Sequence, residues 1–405
     1  MDSDRDLDLT LFGATGFVGG LVAQHLAQTA PAGVRLGLAG RSHERLLRVR
    51  DSLGVRAAHW PLVLADAQDP ASLRDLARRS TVVVSTVGPY LRHGIPLVQA
   101  CVEAGTHYAD LTGEVLFVRQ LIDRFHDAAC ASGARIVVSC GFDSVPSDLA
   151  VHLLNRQAEA DGAGGLTDTT LRVRTLKGGL SGGTIDSMRL QLQTVQGDRS
   201  LARIVGDPHA LSGPWRGASG QRDVWRPFVD AQTGQWDAPF VMAGYNTRLV
   251  RRSDALRGGA YGPRFRYREV VPTGSGPKAM ARAGALAAGM AVLMGAMSTP
   301  GVRALLDRVL PAPGQGPSEE SRREGRFTIE TSTVTQDGTR YAATVAADGD
   351  PGYAATSVML GQAGLAMAVD GDRCSPEGGV LTPAVAMGDV LAQRLREQGF
   401  TLDVS

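Results

Sequence analysis

The stretch LDLTLFGATGFVGG, Leu7 to Gly20, decides the fold. Leu7, Leu9 and Leu11 alternate with Asp8 and Thr10, the two-residue period of a strand. Gly13, Gly16 and Gly19 follow with the spacing G-x-x-G-x-x-G. Leu21, Val22, His25 and Leu26 then recur at helical spacing. Strand, tight turn and helix in this order make a phosphate-binding element. Gly13 permits the sharp turn, Gly16 lets the backbone approach a pyrophosphate, and Gly19 lets helix and strand pack closely. The anion rests on the unpaired N–H groups of the helix start. A glycine spacing alone says little; placed between the first strand and a helix it predicts a dinucleotide site.

Beyond this element, strands and helices alternate at a spacing that predicts an α/β fold with a Rossmann-type doubly wound parallel sheet. The expected strands are Val34–Ala39, Pro61–Ala65, Thr81–Val87, Thr106–Leu111 and Arg135–Ser139. Ligands of such sheets bind at the carboxyl ends of the strands. The expected cofactor contacts are therefore Gly13, Thr15, Gly16, Phe17, Val18 and Gly19 in the turn, and Thr86, Val87, Gly88 and Pro89 after the fourth strand. Arg41 ends the second strand. It cannot accept from a ribose 2′-hydroxyl, but it can pair with a 2′-phosphate, which selects NADP(H). Asp66 is expected near the adenine, and Arg45 could add a second positive charge. The alternative is an Arg41 on a solvated helix start, with Asp51 or Asp66 at the ribose.

The pattern changes after about residue 150. Thr169–Thr175, Tyr261–Val270 and Arg326–Ala347 read as strands of an inserted antiparallel sheet, and 207–262 as irregular chain. The cluster GGLSGGT at 178–184 lacks the order of a nucleotide loop and reads as a turn or the rim of a pocket. The expected division is an NADP-binding domain over 1–150, an inserted α+β substrate or dimerisation domain over 151–349, and C-terminal helices over 350–405 returning to the first domain. The small-residue stretch 350–368 is read as a closely packed helix, and 378–395 as a loop followed by a helix.

Composition narrows the function classes. Hydrophobic residues make up 43% and charged residues 20% of the chain, as in ordinary globular proteins. A formal net charge of +1 gives no reason to expect a nucleic-acid partner. Cys101, Cys130, Cys140 and Cys374 show no C-x-x-C spacing, and the polar start MDSDRD has no apolar signal region; the expectation is a cytoplasmic protein with reduced thiols. No His/Cys/carboxylate cluster with metal-ligand spacing stands in the sequence, so no metal site is expected. The run from Ala283 to Val302 holds no charged residue and is long enough to span a bilayer. Rich in Ala, Gly and Met, and broken by Pro300, it reads as a buried or interfacial helix. The interfacial form would give peripheral contact at the inner face of the plasma membrane.

Seven blocks carry a resemblance: GATGFVGG at 13–20, AGR at 39–41, TVGPY at 86–90, GTHYADLTGE at 105–114, CGFDSVPSD at 140–148, DPGY at 350–353 and GGVLTPA at 378–384. Together they resemble the saccharopine dehydrogenase-like oxidoreductases, and within that group the trans-acting enoyl reductases of actinobacterial polyketide-lipid synthesis. The resemblance implies a Rossmann domain with an inserted domain, NADP(H), and reduction of an enoyl double bond on an acyl or polyketide chain carried by a separate synthase. Such chemistry needs a hydride, a polarised thioester carbonyl and a proton for the α-carbon. Tyr90 is the best-placed proton donor by sequence, with His93 and Asp143 as its hydrogen-bond partners or as shuttles, and Tyr108 a weaker choice. Each also has a structural reading: Tyr90 as pocket lining, His93 as a turn cap, Asp143 as an acceptor in its own turn. A saccharopine-type C–N oxidoreductase is the alternative and needs basic side chains for substrate carboxylates; Arg172, Arg174 and Lys177 are the obvious group. A non-catalytic NADP-binding protein on lipid, touching it through 283–302, is the third reading. A homodimer formed through the exposed face of the inserted sheet is compatible with each.

Overall fold

The computed structural model describes residues 5–178, 181–298 and 316–405. Residues 1–4 of the polar start, Gly179 and Leu180 of the second glycine cluster, the end of the apolar run from 299, and 311–315 of the following loop lie outside it.

Seven strands form a parallel sheet: β1 (Leu7–Phe12), β2 (Leu36–Gly40), β3 (Leu62–Leu64), β4 (Ser80–Ser85), β5 (His107–Ala109), β6 (Arg135–Val137) and β13 (Gly379–Leu381). Their order is β13-β6-β5-β4-β1-β2-β3. β1 pairs with β2 on one side, Leu9 opposite Leu36, and with β4 on the other, Leu9 opposite Val82. The chain therefore reverses its winding between β1 and β4, which opens a crevice at their carboxyl ends. Leu9, Leu11, Val82, Val83 and Val84 are fully buried, as befits strands covered on both faces. The helix Thr356–Val369 lies across β1 and β4, and its small residues are required there. A methyl group on Gly364 would come 2.6 Å from Val84 Cγ2, and one on Gly361 would come 2.7 Å from His25 Cδ2.

A second seven-stranded sheet has β14 (Thr401–Val404) at one edge, then β12 (Arg340–Asp348), β11 (Arg326–Val334), β7 (Asp168–Lys177), β10 (Arg266–Gly274), β9 (Trp236–Pro239) and, at the other edge, β8 (Phe228–Val229). It is mixed rather than antiparallel, because β7 and β10 run parallel. The C-terminal part of the chain serves both sheets. GGVLT supplies the edge strand β13 beside β6 rather than a loop, and β14 pairs with β12.

The segment expected to be irregular contains the helix Ala243–Leu256. Its apolar period is broken by Arg248, Arg251 and Arg252, all of them buried. These side chains point inward because their guanidinium groups bond to main-chain carbonyls. Arg248 donates to Val205 O, Arg251 to Pro208 O and Tyr267 O, and Arg252 to Leu211 O and Val380 O. Pro208 and Leu211, outside any helix or strand, thereby have their carbonyls satisfied, and the helix is tied to β10 and β13 through Tyr267 and Val380. A second helix, Gly182–Val195, begins within the second glycine cluster, with the Ser181 hydroxyl accepting from Thr184 N at its start. The cluster thus does stand between strand and helix, contrary to the sequence expectation.

The Arg252→Ala variant leaves two buried carbonyls unpaired. Its stability should fall by about 2–4 kcal/mol, read as a lower denaturant midpoint with an unchanged slope.

Candidate functional site

The glycine turn has the geometry that its spacing implies. Gly13 sits at φ +90°, and a methyl group there would come 2.7 Å from Thr86 Oγ1. A methyl group on Gly19 would lie 2.1 Å from Gly13 O, so the helix Phe17–Thr29 can approach β1 only with glycine at that position. Gly16 caps the helix without any side-chain hydrogen bond, and the first turn carries no acidic residue. That is a helix start built to receive an anion. Thr86 fixes the turn by donating to Phe12 O and Gly13 O, at 3.3 and 3.2 Å. Phe17 packs edge-on against Tyr353, with ring centres 5.2 Å apart, and Arg322 stands 5.2 Å from its ring centre.

A cavity of about 220 Å³ opens at the carboxyl ends of β1, β4, β5 and β6. Gly16 to Gly19, Thr86, Gly88, Pro89, Tyr90 and Asp143 of the expected residues line it. Ser181, Thr184, Asp186 and Ser187 close it from the side of the second sheet, and Gly352, Tyr353 and Thr356 from the C-terminal segment. The rim expected of the second glycine cluster is therefore present. Asp186 and Asp143 are the charged groups among the described lining residues, and none of those residues is Lys, Arg or His.

The proton-donor candidates separate. The Tyr90 hydroxyl donates to Ser85 O at 3.0 Å and accepts from Leu111 N at 3.2 Å. Its partners are main-chain groups, not His93 or Asp143 as the sequence reading had it, and burial with nearby Asp110 raises its pKa well above the ordinary phenol value. Tyr108 is buried and donates to Asp110 Oδ2 at 3.0 Å. His93 is not among the residues lining the cavity. Its pKa is lowered by partial burial and by Arg92 and Arg41, and Asp66 opposes that shift; it therefore belongs with Arg41 and Asp66. Arg41 is exposed at the end of β2. Asp66 follows β3 and accepts from Gln68 N at 3.0 Å in a local turn. Asp143 faces the cavity and takes a hydrogen bond from Thr184 Oγ1 at 3.4 Å; desolvation pushes its pKa up to about 6.

Three groups escaped the sequence reading of single residues. Glu114 accepts from Tyr90 N, Leu91 N and Ser187 Oγ, at 2.9, 2.7 and 2.6 Å. It holds the segment after β4 against the helix Gly182–Val195. The Tyr353 hydroxyl accepts from Gly182 N at 2.9 Å. Ser139, two residues beyond β6, lines the cavity and shares a hydrogen bond with Tyr245. Glu114 and Tyr353 lie inside the quoted blocks GTHYADLTGE and DPGY, which was the available signal. Tyr245 had none, because it lies on the helix hidden by its arginines.

The basic group proposed from sequence is not a free cluster. Arg172 is buried and paired with Asp230 at 3.1 Å; Arg174 pairs with Glu330 at 2.8 Å and Lys177 with Glu324 at 2.9 Å.

The saccharopine dehydrogenase NADP binding domain family matches residues 9–139. A Mycobacterium tuberculosis protein provisionally named a trans-acting enoyl reductase is 50% identical, over 99% of this chain and 98% of its own. A trans-acting enoyl reductase of Mycobacterium ulcerans is 46% identical, over 100% of this chain and 99% of its own. Among solved structures, saccharopine dehydrogenase (L-Glu forming) of Saccharomyces cerevisiae superposes with a TM-score of 0.54 at 14% identity, covering 98% of this chain and 99% of that one. The yeast likeness is one of fold.

Proposed function

The chain belongs to the trans-acting enoyl reductases and carries an NADP-binding domain of the saccharopine dehydrogenase type; from that premise we propose that it reduces the carbon–carbon double bond of an acyl or polyketide chain presented as a thioester by a separate synthase. One observation carries the choice of substrate. The described wall of the cavity has two carboxylates and no basic side chain. A substrate with several carboxylates, such as the C–N alternative requires, would meet repulsion there, and the arginines once assigned to it are occupied by ion pairs. A neutral thioester meets no such cost.

The chain's residues divide the work. Gly13, Thr15, Gly16, Phe17, Val18 and Gly19 hold the pyrophosphate at the helix start. Arg41 pairs with the 2′-phosphate, Asp66 lies beside the adenosine, and Thr86, Val87, Gly88 and Pro89 border the nicotinamide. Bound there, NADPH supplies the hydride for the β-carbon. The π electrons move toward the thioester carbonyl, and the α-carbon takes a proton. Asp143 is the donor of that proton: it faces the cavity, and its pKa of about 6 leaves the acid form populated near neutrality. Tyr90, its O–H already engaged in a hydrogen bond to Ser85 O, shapes the wall.

The helix Pro277–Ser298 extends the reading to a lipid phase. It is long and apolar enough to cross a membrane by length, with a mean hydropathy of 1.5 over its most apolar window. It is not buried as a core helix: Met280, Leu286 and Val292 are exposed. It packs against β9, β10 and the helix Gly182–Val195, which also lines the cavity. Lys278 and Arg282 near its start are its charged residues. Peripheral contact with an anionic membrane surface would bring a lipid-bound acyl chain to the cavity side of the molecule.

The cofactor assignment is checked by titration: Arg41→Ala should bind NADPH roughly ten- to a hundredfold more weakly, about 1.5–3 kcal/mol for one charge-assisted bond, and bind NADH unchanged. For chemistry, the folded Asp143 carboxyl titrates near 6, above its ordinary 3.8, so the acid form is lost as pH rises. The single-turnover rate of NADPH oxidation with an enoyl thioester should therefore fall above about pH 6, and Asp143→Asn should lower it about a hundredfold or more and remove that limb of the profile. In co-sedimentation with anionic vesicles, a Leu286→Glu and Val292→Glu double variant should stay in the supernatant while the parent pellets.

A further inference from the structure

Ser139 is the one described residue other than glycine with a positive φ, at +64°. A side chain in this region costs backbone energy, and such outliers gather where function requires a particular direction. Ser139 lies where β6 gives way to the loop carrying Asp143, and it lines the cavity. Its backbone N–H donates to Asp110 Oδ1 at 2.9 Å, and Cys140 N donates to Asp110 O at 2.7 Å. Asp110 also takes Thr112 N at 3.0 Å. One buried carboxylate thus holds the strained residue from the neighbouring strand.

Counting hydrogens settles how the Ser139 hydroxyl is used. Among the described residues its one side-chain partner is the Tyr245 hydroxyl, which reaches across from the helix Ala243–Leu256. Each hydroxyl carries one proton. Were Ser139 the donor, the buried Tyr245 proton would have no acceptor, since Ser139 is Tyr245's one hydrogen-bond partner among the described residues. That would cost the full desolvation of a polar group. With Tyr245 donating, its proton is used, and the Ser139 proton is left for whatever enters the cavity. A phenol is also the stronger donor of the two. The arrangement therefore presents one oriented O–H at the wall of the cavity that Asp143 and Thr184 also line.

On the reading that the substrate is an enoyl thioester, we propose that Ser139 donates its hydrogen bond to the thioester carbonyl oxygen and that Tyr245 is a positioning residue that fixes the Ser139 hydroxyl. As hydride reaches the β-carbon, the π pair shifts onto the carbonyl oxygen to give an enolate, and the Ser139 O–H···O bond strengthens with the charge. The enolate then collapses, its electron pair taking the Asp143 proton at the α-carbon. No proton leaves Ser139 or Tyr245 in the balance. A fixed donor aimed at developing charge in a site shielded from water is an effective catalytic device.

The test uses the full chain, NADPH and a long-chain 2-enoyl N-acetylcysteamine thioester. Ser139→Gly removes the hydroxyl while suiting the φ of +64°, and the relieved backbone offsets part of the cost of leaving the Tyr245 O–H unpaired, so the fold should hold. The expected result is an unchanged NADPH affinity, a melting temperature lowered by no more than a few degrees by the unpaired Tyr245 hydroxyl, and a kcat lower by about a hundredfold. Tyr245→Phe should lower kcat roughly tenfold with KM unchanged, and should have no further effect in the Ser139→Gly background. A Ser139→Gly variant with parental kcat overturns the carbonyl contact. A Tyr245→Phe effect that persists undiminished in that background overturns the positioning role. A parent that binds NADPH yet reduces no enoyl thioester overturns the substrate reading itself, and the proposal with it; that result is distinct from the other two.

Discussion

One carboxylate joins the parts of this molecule. Asp148, buried at the start of the helix Val145–Asp161, accepts from the Ser253 hydroxyl and, at 2.8 Å, from Ala384 N. Ser253 in turn bonds to Thr382 Oγ1 at 2.6 Å. Three lengths of chain remote in sequence meet at this point: the segment leaving β6, the arginine-bearing helix, and the turn after β13. The first places Ser139 and Asp143 at the cavity, and the second places Tyr245 against Ser139. A buried carboxylate left unpaired would be costly, so the three segments are held in one arrangement.

The same logic of satisfied polar groups explains why the site can be assembled from so many directions. Glu114 bonds two main-chain N–H groups after β4 and one hydroxyl on the far side of the cavity. Tyr353 takes an N–H from the start of the helix Gly182–Val195 while its ring meets Phe17 of the glycine turn. Each contact spans the boundary between the nucleotide sheet and the second sheet. The cavity wall is thus cross-braced by groups that do no chemistry themselves, which holds Asp143 and Ser139 in fixed relation to the glycine turn.

The nucleotide sheet was legible in sequence because its signals are local. An alternating strand, a glycine turn and apolar runs of valine report their own structure, and Leu7–Gly20 folds as its spacing implies. The second sheet was less legible, because its helix Ala243–Leu256 buries arginines where the pattern calls for apolar side chains. Only distant carbonyls make those arginines acceptable, and distance in space is invisible in a linear pattern. The cavity followed the same division. Glycines and strand ends were found, whereas Tyr90 was given chemistry that its two main-chain bonds now claim, and His93 proved to belong with Arg41. Ser139 and Tyr245 matter only as a pair, and a pair formed across 106 positions has no spacing to read.

β13 completes the nucleotide sheet from the far end of the sequence. On a ribosome, β1 to β6 emerge first, but the edge of β6 stays uncovered until 138–378 have been made and Gly379–Leu381 follow. An uncovered edge strand is a template for mispairing. The helix Thr356–Val369, which roofs β1 and β4, arrives equally late. The dinucleotide half therefore cannot mature as an independent unit during synthesis, although it reads as one in sequence. Its maturation waits on the second sheet, and the nascent chain has to be kept from other chains until the last strands close both sheets.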